Sequence, residues 1–332
     1  MVDVVTRPTH ILTIDVEEWF HILESDAAPP RERWSELEPR VVRNTERLLE
    51  LLAESGARAT CFVVGWVAWR HPELVKRIAA AGHEVASHSF WHEVVRRHDV
   101  ASFAADLAGT RKLLEDLAGA PVRGFRAPGA SITPREAWAF EVLIEQGFSY
   151  DSSLCPGRSS HGGFPSREHG PHVLRCRAGS LIEIPMSTFG IGRWRVPYAG
   201  GGYLRVLPYA LIAAGLGLER GLGRPANVYV HPREIDARQP RLELPPGRRF
   251  RYYAGLRSTE SKLVRLLARY RFVGVSEWLR ERRPDLIGRE VDVRALEAGT
   301  ESGCARLRLA ARAGALAIPE PGRVPPSPPP GV

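Results

Sequence analysis

Lysine is nearly absent from this 332-residue chain: three of its 46 basic residues are Lys (Lys76, Lys112, Lys262) and the rest are Arg. The arginines are scattered, with no block of five or more. A nucleic-acid binder gathers its basic residues on one stripe, so no nucleic-acid partner is expected. The net charge of +8 reads as solvated surface, with a remainder that would attract anionic lipid or acidic polysaccharide. No apolar run approaches the ~20 residues of a membrane span, which excludes an integral membrane segment. The opening "MVDVVTRPTHILTID" lacks a basic region followed by an apolar one, so no secretory signal is visible and the expected location is cytoplasmic. Cysteine is scarce: Cys61, Cys155, Cys176 and Cys304 form no CxxC pair, and four in a chain this long make no disulfide framework. Cys61 sits in the apolar run "TCFVVGWVAW" and is expected to be a buried thiol.

What is present is an ordinary globular balance, 44% hydrophobic and 25% charged. At ~150 residues per domain the length suits two domains or one α/β barrel. "HILTIDVEEWF" reads as a strand, 39–54 as a helix carrying Val42, Leu48, Leu49 and Leu52 and closed by Gly56, and "ATCFVVGWVA" as a buried strand. A helix through "HPELVKRIAAAG", the strand "HEVASHS", a helix over 99–118, the strand "VRGFRAP", a helix from Pro134 and the short strand "FSYDSS" follow. This alternation predicts a parallel sheet with crossover helices, whose chemistry gathers at the carboxyl ends of the strands. Residues 154–180 read as loop, and "SLIEIPMST" and "ANVYVHP" as further strands, with helices over 209–219 and 258–270. Residues 319–332 hold seven prolines, so 285–332 is expected to be a dispensable tail without packed structure.

The candidate chemistry lies at strand ends. In "HSFWH", His88 and His92 could meet one cation if their loop coils as a helical turn; two turn histidines with no metal are the plain alternative. In "TIDVEEW", Asp15 and Glu17 are two apart, on one face of a strand, and would repel unless a cation or proton lies between them. One could complete a His–His–carboxylate set and the other remain free as a base; Glu18 should face away. Arg126 of "FRAPG" could hold the free carboxylate ionised through a bidentate contact. His231 of "NVYVHP" is a candidate general acid or a capped core histidine.

The ordered set "TIDVE", "HSFWH", "FRAPG", "YDSS" and "VYVHP" resembles the polysaccharide deacetylases of the NodB-homology type, carbohydrate esterase family 4, over about residues 10–235. "EIPMSTFGIGRWRVPYAGGGYLRVLP" and the stretch through "FRYYAGLRSTESKLVRLLARYRFVGVSEWL" resemble the DUF3473-type C-terminal extension, about 155–284, of a bacterial subfamily associated with exopolysaccharide loci of the exosortase (PEP-CTERM) system. The resemblance implies a distorted (β/α) barrel of about seven parallel strands, making one deacetylase domain over 1–284. It implies a catalytic base at Asp15, metal ligands at Glu17, His88 and His92, a base-orienting Arg126, groove positions at Pro128 and Asp151, and a catalytic acid at His231. The family's adjacent acid pair is split here by Val16, which leaves the roles of Asp15 and Glu17 interchangeable.

Such a site implies a divalent metal ion, zinc by preference of two His and one carboxylate. The implied reaction is hydrolysis of N-acetyl groups on amino sugars of a polysaccharide or lipid-linked oligosaccharide. An enzyme of exopolysaccharide biosynthesis without a secretory signal would work at the inner face of the membrane, in peripheral association with it. Two other readings stand beside this one: a metal amidohydrolase of a small cyclic amide or ureide on the same barrel, and a non-catalytic polysaccharide-binding protein.

Overall fold

A computed structural model describes residues 9–157, 161–164, 168–191, 194–282 and 289–293. Twelve strands are present among them: β1 (Thr9–Val16), β2 (Thr60–Val63), β3 (Glu84–Ser87), β4 (Gly124–Phe125), β5 (Tyr150–Asp151), β6 (His172–Arg175), β7 (Ser180–Glu183), β8 (Thr188–Ile191), β9 (Trp194–Pro197), β10 (Asn227–Val230), β11 (Arg271–Val273) and β12 (Glu290–Asp292). Seven of them, in the spatial order β10-β1-β2-β3-β4-β5-β7, run parallel to their neighbours. This is the parallel α/β sheet that the alternating pattern predicts. β6 then pairs antiparallel with β7, and β12 extends that edge. The two ends of the parallel run approach each other. Asn227, opening β10, donates through its side-chain amide to the carbonyls of Ile184 and Pro185 just beyond β7, both at 3.3 Å.

The helices cover the sheet as amphipathic crossovers. α1 (Val41–Ser55) buries Val41, Leu48, Leu51 and Leu52 and stops at Gly56 in the left-handed conformation, which costs glycine nothing. The apolar run after Cys61 does not continue as strand. It turns at Val64 into α2 (Gly65–Arg70), because Gly65 lets the chain pass against Phe90: a Cβ there would lie 2.9 Å from the Phe90 backbone. Cys61 is buried as expected. α3 (Pro72–Ala80), α4 (Val100–Ala118) and α5 (Trp138–Glu145) complete the first half. Asp99 caps α4 by accepting from Ser102 N at 2.7 Å, satisfying a donor that the first turn leaves unpaired.

The second half is less regular. α6 (Gly201–Val206), α7 (Tyr209–Gly221), α8 (Pro246–Tyr253), α9 (Leu256–Arg269) and α10 (Val275–Arg282) surround β10 and β11. Two expectations change. The stretch read as loop, 154–180, contains β6. Three residues of the expected tail form β12, and Val293 behind them is buried, so ordered chain reaches past 285. Residues 294–332, including the Pro-rich stretch, lie outside the described residues. No helix among the described residues is long and apolar enough to cross a membrane.

Candidate active site

β1 is central in the sheet, flanked by β2 and β10, and its carboxyl end carries both acids. Asp15 is inside the strand; Glu17 follows it in a tight turn, its N–H donating to the Asp15 carbonyl at 3.0 Å. Both side chains are buried at the floor of a cavity of about 620 Å³. Their carboxylates have different partners. Asp15 Oδ1 accepts from Arg126 Nη1 at 2.6 Å. Glu17 Oε2 lies 2.5 Å from His92 Nε2, and Oε1 lies 3.5 Å from Arg233 Nε. Burial would raise the Glu17 carboxyl, but His92, His231 and Arg233 outweigh it and hold it well below the usual carboxylate range.

Glu17, His88 and His92 bring one ligand atom each within 4.8 Å of one another. His88 Nδ1 lies 2.7 Å from the carbonyl of Arg126. A carbonyl only accepts, so Nδ1 carries the proton and Nε2 keeps its lone pair. Burial pushes the His88 imidazole down to about 4, so it is neutral, as a ligand must be. The loop that carries the two histidines is no helical turn. Ser89 and His92 both take left-handed backbone angles, φ 65° and 55°, a conformation that costs a non-glycine residue about 1–3 kcal/mol. Asp106 on α4 holds the loop in that shape: its carboxylate accepts from Phe90 N at 2.9 Å and from Ser89 Oγ at 3.2 Å.

Arg126 is almost wholly buried and fully engaged. Besides Asp15, it donates to Thr13 Oγ1 at 2.8 Å, Ser152 Oγ at 2.8 Å and the Ser152 carbonyl at 3.1 Å. Its guanidinium lies over the Phe62 ring. His231, just beyond β10, points Nε2 at both acids, 3.7 Å from Asp15 and 3.8 Å from Glu17. Its Nδ1 lies 3.2 Å from Glu234 Oε2. Burial would lower the imidazolium, but Glu234, Glu17 and Asp15 together raise it above its ordinary value.

Two expected groove positions are elsewhere. Neither Pro128 nor Asp151 lines this cavity. Asp151 lies in the sheet, where its parallel register puts it beside Glu183 of β7. It accepts from Ser153 Oγ at 2.6 Å and from the Glu183 carboxyl, which burial and the Asp151 charge push far above the usual range. The two acids thus share a proton beneath the site instead of facing substrate. Several lining residues carry no motif of their own. His21 stacks on His92 with ring centroids 5.5 Å apart; it is part of "EEWFH" and could be found only as a third histidine near the acid pair. Arg233 and Glu234 follow His231 directly in "HPRE", where their polarity is the one signal. Tyr203, Arg248, Phe250, Arg251 and Tyr252 come from α6 and α8.

This architecture defines a class: a mostly parallel α/β sheet with a buried carboxylate–histidine trio able to hold a cation and an arginine-held acid at its carboxyl-end mouth. Within that class, the chain is similar over part of its length to polysaccharide deacetylases. Residues 32–143 match the family Polysaccharide deacetylase, and residues 152–280 match Domain of unknown function (DUF3473). Over 98 residues the chain is 30% identical to a peptidoglycan-N-acetylglucosamine deacetylase of Bacillus cereus, covering 29% of this chain and 36% of the relative. Over 87 residues it is 38% identical to a chitooligosaccharide deacetylase of Sinorhizobium fredii, covering 25% and 40%. The matches span about a third to a half of the length of these curated relatives. The fold is similar to a Mycobacterium smegmatis structure assigned as a polysaccharide deacetylase, with a TM-score of 0.59 at 23% identity over 86% of this chain and 93% of the other. His88, His92 and Arg126 lie in the first matched region, His231, Arg233 and the α6 and α8 residues in the second, and Asp15 and Glu17 precede both.

Proposed function

We propose that the protein is a metal-dependent N-deacetylase acting on amino sugars of a polysaccharide or lipid-linked oligosaccharide in exopolysaccharide biosynthesis. The observation that carries this reading is the placement of His231 Nε2 within 4 Å of two carboxylates that have separate jobs. One is held by Arg126; the other belongs to a buried His–His–carboxylate trio. The trio fits a divalent cation: both rings offer nitrogen, Glu17 offers oxygen, and the donors suit zinc. When bound there, the ion supplies Lewis acidity to the acetamido carbonyl and acidity to water.

The chain's own groups do the rest. Arg126 holds and aims Asp15, so Asp15 takes the proton from the attacking water. His231, kept protonated by Glu234, gives a proton to the departing nitrogen. Acetate and a free amine leave, and no covalent enzyme intermediate is needed. The test is acetate release from N-acetylglucosamine oligomers after zinc loading, run beside cyclic ureides and with metal content measured. Turnover of the oligomers alone supports the reading. Turnover of a ureide alone replaces it with small-molecule amidohydrolysis, and binding without turnover of either replaces it with a carbohydrate-binding protein.

A further inference from the structure

Five arginines line the cavity: Arg126, Arg205, Arg233, Arg248 and Arg251. Two are committed within the fold. Arg126 holds Asp15, and Arg205 meets Glu234 at 3.0 Å, both side chains fully buried. The other three are not. Arg233 is 9% exposed, and its Nη1 is buried with no hydrogen-bond partner among the described residues. Its nearest carboxylate, Glu17, is the one a cation would claim. A buried guanidinium nitrogen without an acceptor is costly unless a ligand brings one. Among the described residues Arg248 donates only to the Leu23 carbonyl, at 3.2 Å. Neither Arg248 nor Arg251 has a carboxylate within 4.0 Å among the described residues. The remaining acid of the wall, Glu24, is already shared by Arg96 and His161.

Arg248 and Arg251 are three residues apart on α8, hence on one face of the helix. The same helix presents Tyr252, whose ring lies under Arg233 at 4.7 Å, and Phe250, which is 63% exposed at the cavity rim. Aromatic faces beside planar, bidentate donors suit a sugar ring that carries an oxyanion. Hydrolysis of a neutral acetamido group has no need of two guanidinium groups without a carboxylate partner and a third whose Nη1 is unpaired.

We infer that Arg233 and α8 form a subsite for an oxyanion of the substrate, a ring carboxylate or a phosphate, next to the N-acetylated sugar, so that the substrate is an acidic glycan. The inference rests on the deacetylase reading for the position of the acetamido group. The subsite belongs to the DUF3473 region and gives that region a role in selecting substrate.

The test uses the full chain loaded with zinc and calorimetric binding of three probes: neutral tetra-N-acetylchitotetraose, the same tetramer bearing a 1-phosphate, and a tetrasaccharide alternating N-acetylglucosamine with glucuronate. At least one acidic probe should bind about tenfold or more tightly than the neutral one, as for a charge-assisted contact, and the advantage should shrink with added salt. The double variant Arg248→Gln/Arg251→Gln should lose most of that advantage. Arg249→Gln, on the same helix and outside the cavity lining, should keep it. Whichever acidic probe gains names the source of the oxyanion. Equal affinity for all three probes, or an advantage that survives the double variant, overturns the inference. Acetate release is followed in parallel: turnover without acid preference sinks the subsite and leaves the deacetylase reading standing, whereas acid preference without turnover does the opposite.

Discussion

Arg126 ties His88 and Asp15 together. The Arg126 carbonyl accepts from His88 Nδ1 at 2.7 Å, while the Arg126 guanidinium grips Asp15 at 2.6 Å. One residue therefore orients a metal-ligand candidate through its backbone and the base candidate through its side chain. The two functions should separate on mutation. Arg126→Lys keeps the carbonyl and the charge but loses the planar fork. Bound zinc should be retained while turnover falls on the order of 10²-fold, read by metal analysis and acetate release on the same sample.

Asp15 and Glu17 should separate in the same way. Asp15→Asn should keep metal and lose ~10²–10⁴ in rate, the usual contribution of a positioned acid or base. Glu17→Gln should weaken metal binding, and excess zinc should restore part of its activity. Rescue of the Asp15 variant by zinc, with none for the Glu17 variant, would exchange the two roles.

The His231–Glu234 contact makes a statement about pH. A catalytic acid must be protonated, so the rate falls as pH rises through its pKa. Glu234 raises that value. Glu234→Gln should therefore move the alkaline fall of kcat to lower pH, whereas His231→Ala should remove that limb and cost ~10²–10⁴ in rate while leaving metal bound.

Asp106 never touches the cavity, yet it holds the strained loop of Ser89 and His92. Asp106→Ala leaves the Phe90 N–H unpaired, a loss of roughly 1–3 kcal/mol, and frees the two left-handed residues. The variant should melt lower and bind zinc more weakly; an unchanged zinc affinity would show that the loop keeps its shape without the carboxylate.

The proton shared by Glu183 and Asp151 affects stability rather than catalysis. The folded Glu183 pKa is raised above its unfolded value by burial and by Asp151. The stability tied to this proton is full below the unfolded pKa and is lost as pH rises through the folded one. Glu183→Gln keeps a donor for Asp151 and an acceptor for Leu154 N, now at 3.0 Å from Glu183 Oε1, and does not titrate. Its melting temperature should fall less than that of the unaltered chain as pH is raised above neutral.

The parts legible in the sequence are those with local causes. Hydrophobic period, proline starts and glycine stops marked the strands and helices of the first half, and paired acids and histidines at strand ends marked the centre of the site. The break at Gly65 was hidden because an apolar run serves strand and buried helix equally, and only the nearness of Phe90 decides between them. Asp151 was placed in the groove only by the family resemblance of its motif; its partner Glu183 is 32 residues away and meets it through sheet register. α6 and α8 reach the cavity by tertiary packing, and their arginines resemble solvated surface until the fold brings them to the cavity wall.

The position of β1 between β2 and β10 also sets a timetable. Thr13 meets Val228, 215 positions further along the chain, so contacts within the site are far from local, the kind that form late. During synthesis the two acids of β1 emerge before the histidine pair, and His231 leaves the ribosome about 200 residues after the acids. A nascent chain could gather the cation-binding trio before it owns His231. On the proposed function, the order of translation would delay hydrolytic competence until both matched regions have been made, and a truncated product that stops before β10 would keep Glu17, His88 and His92 but lack His231.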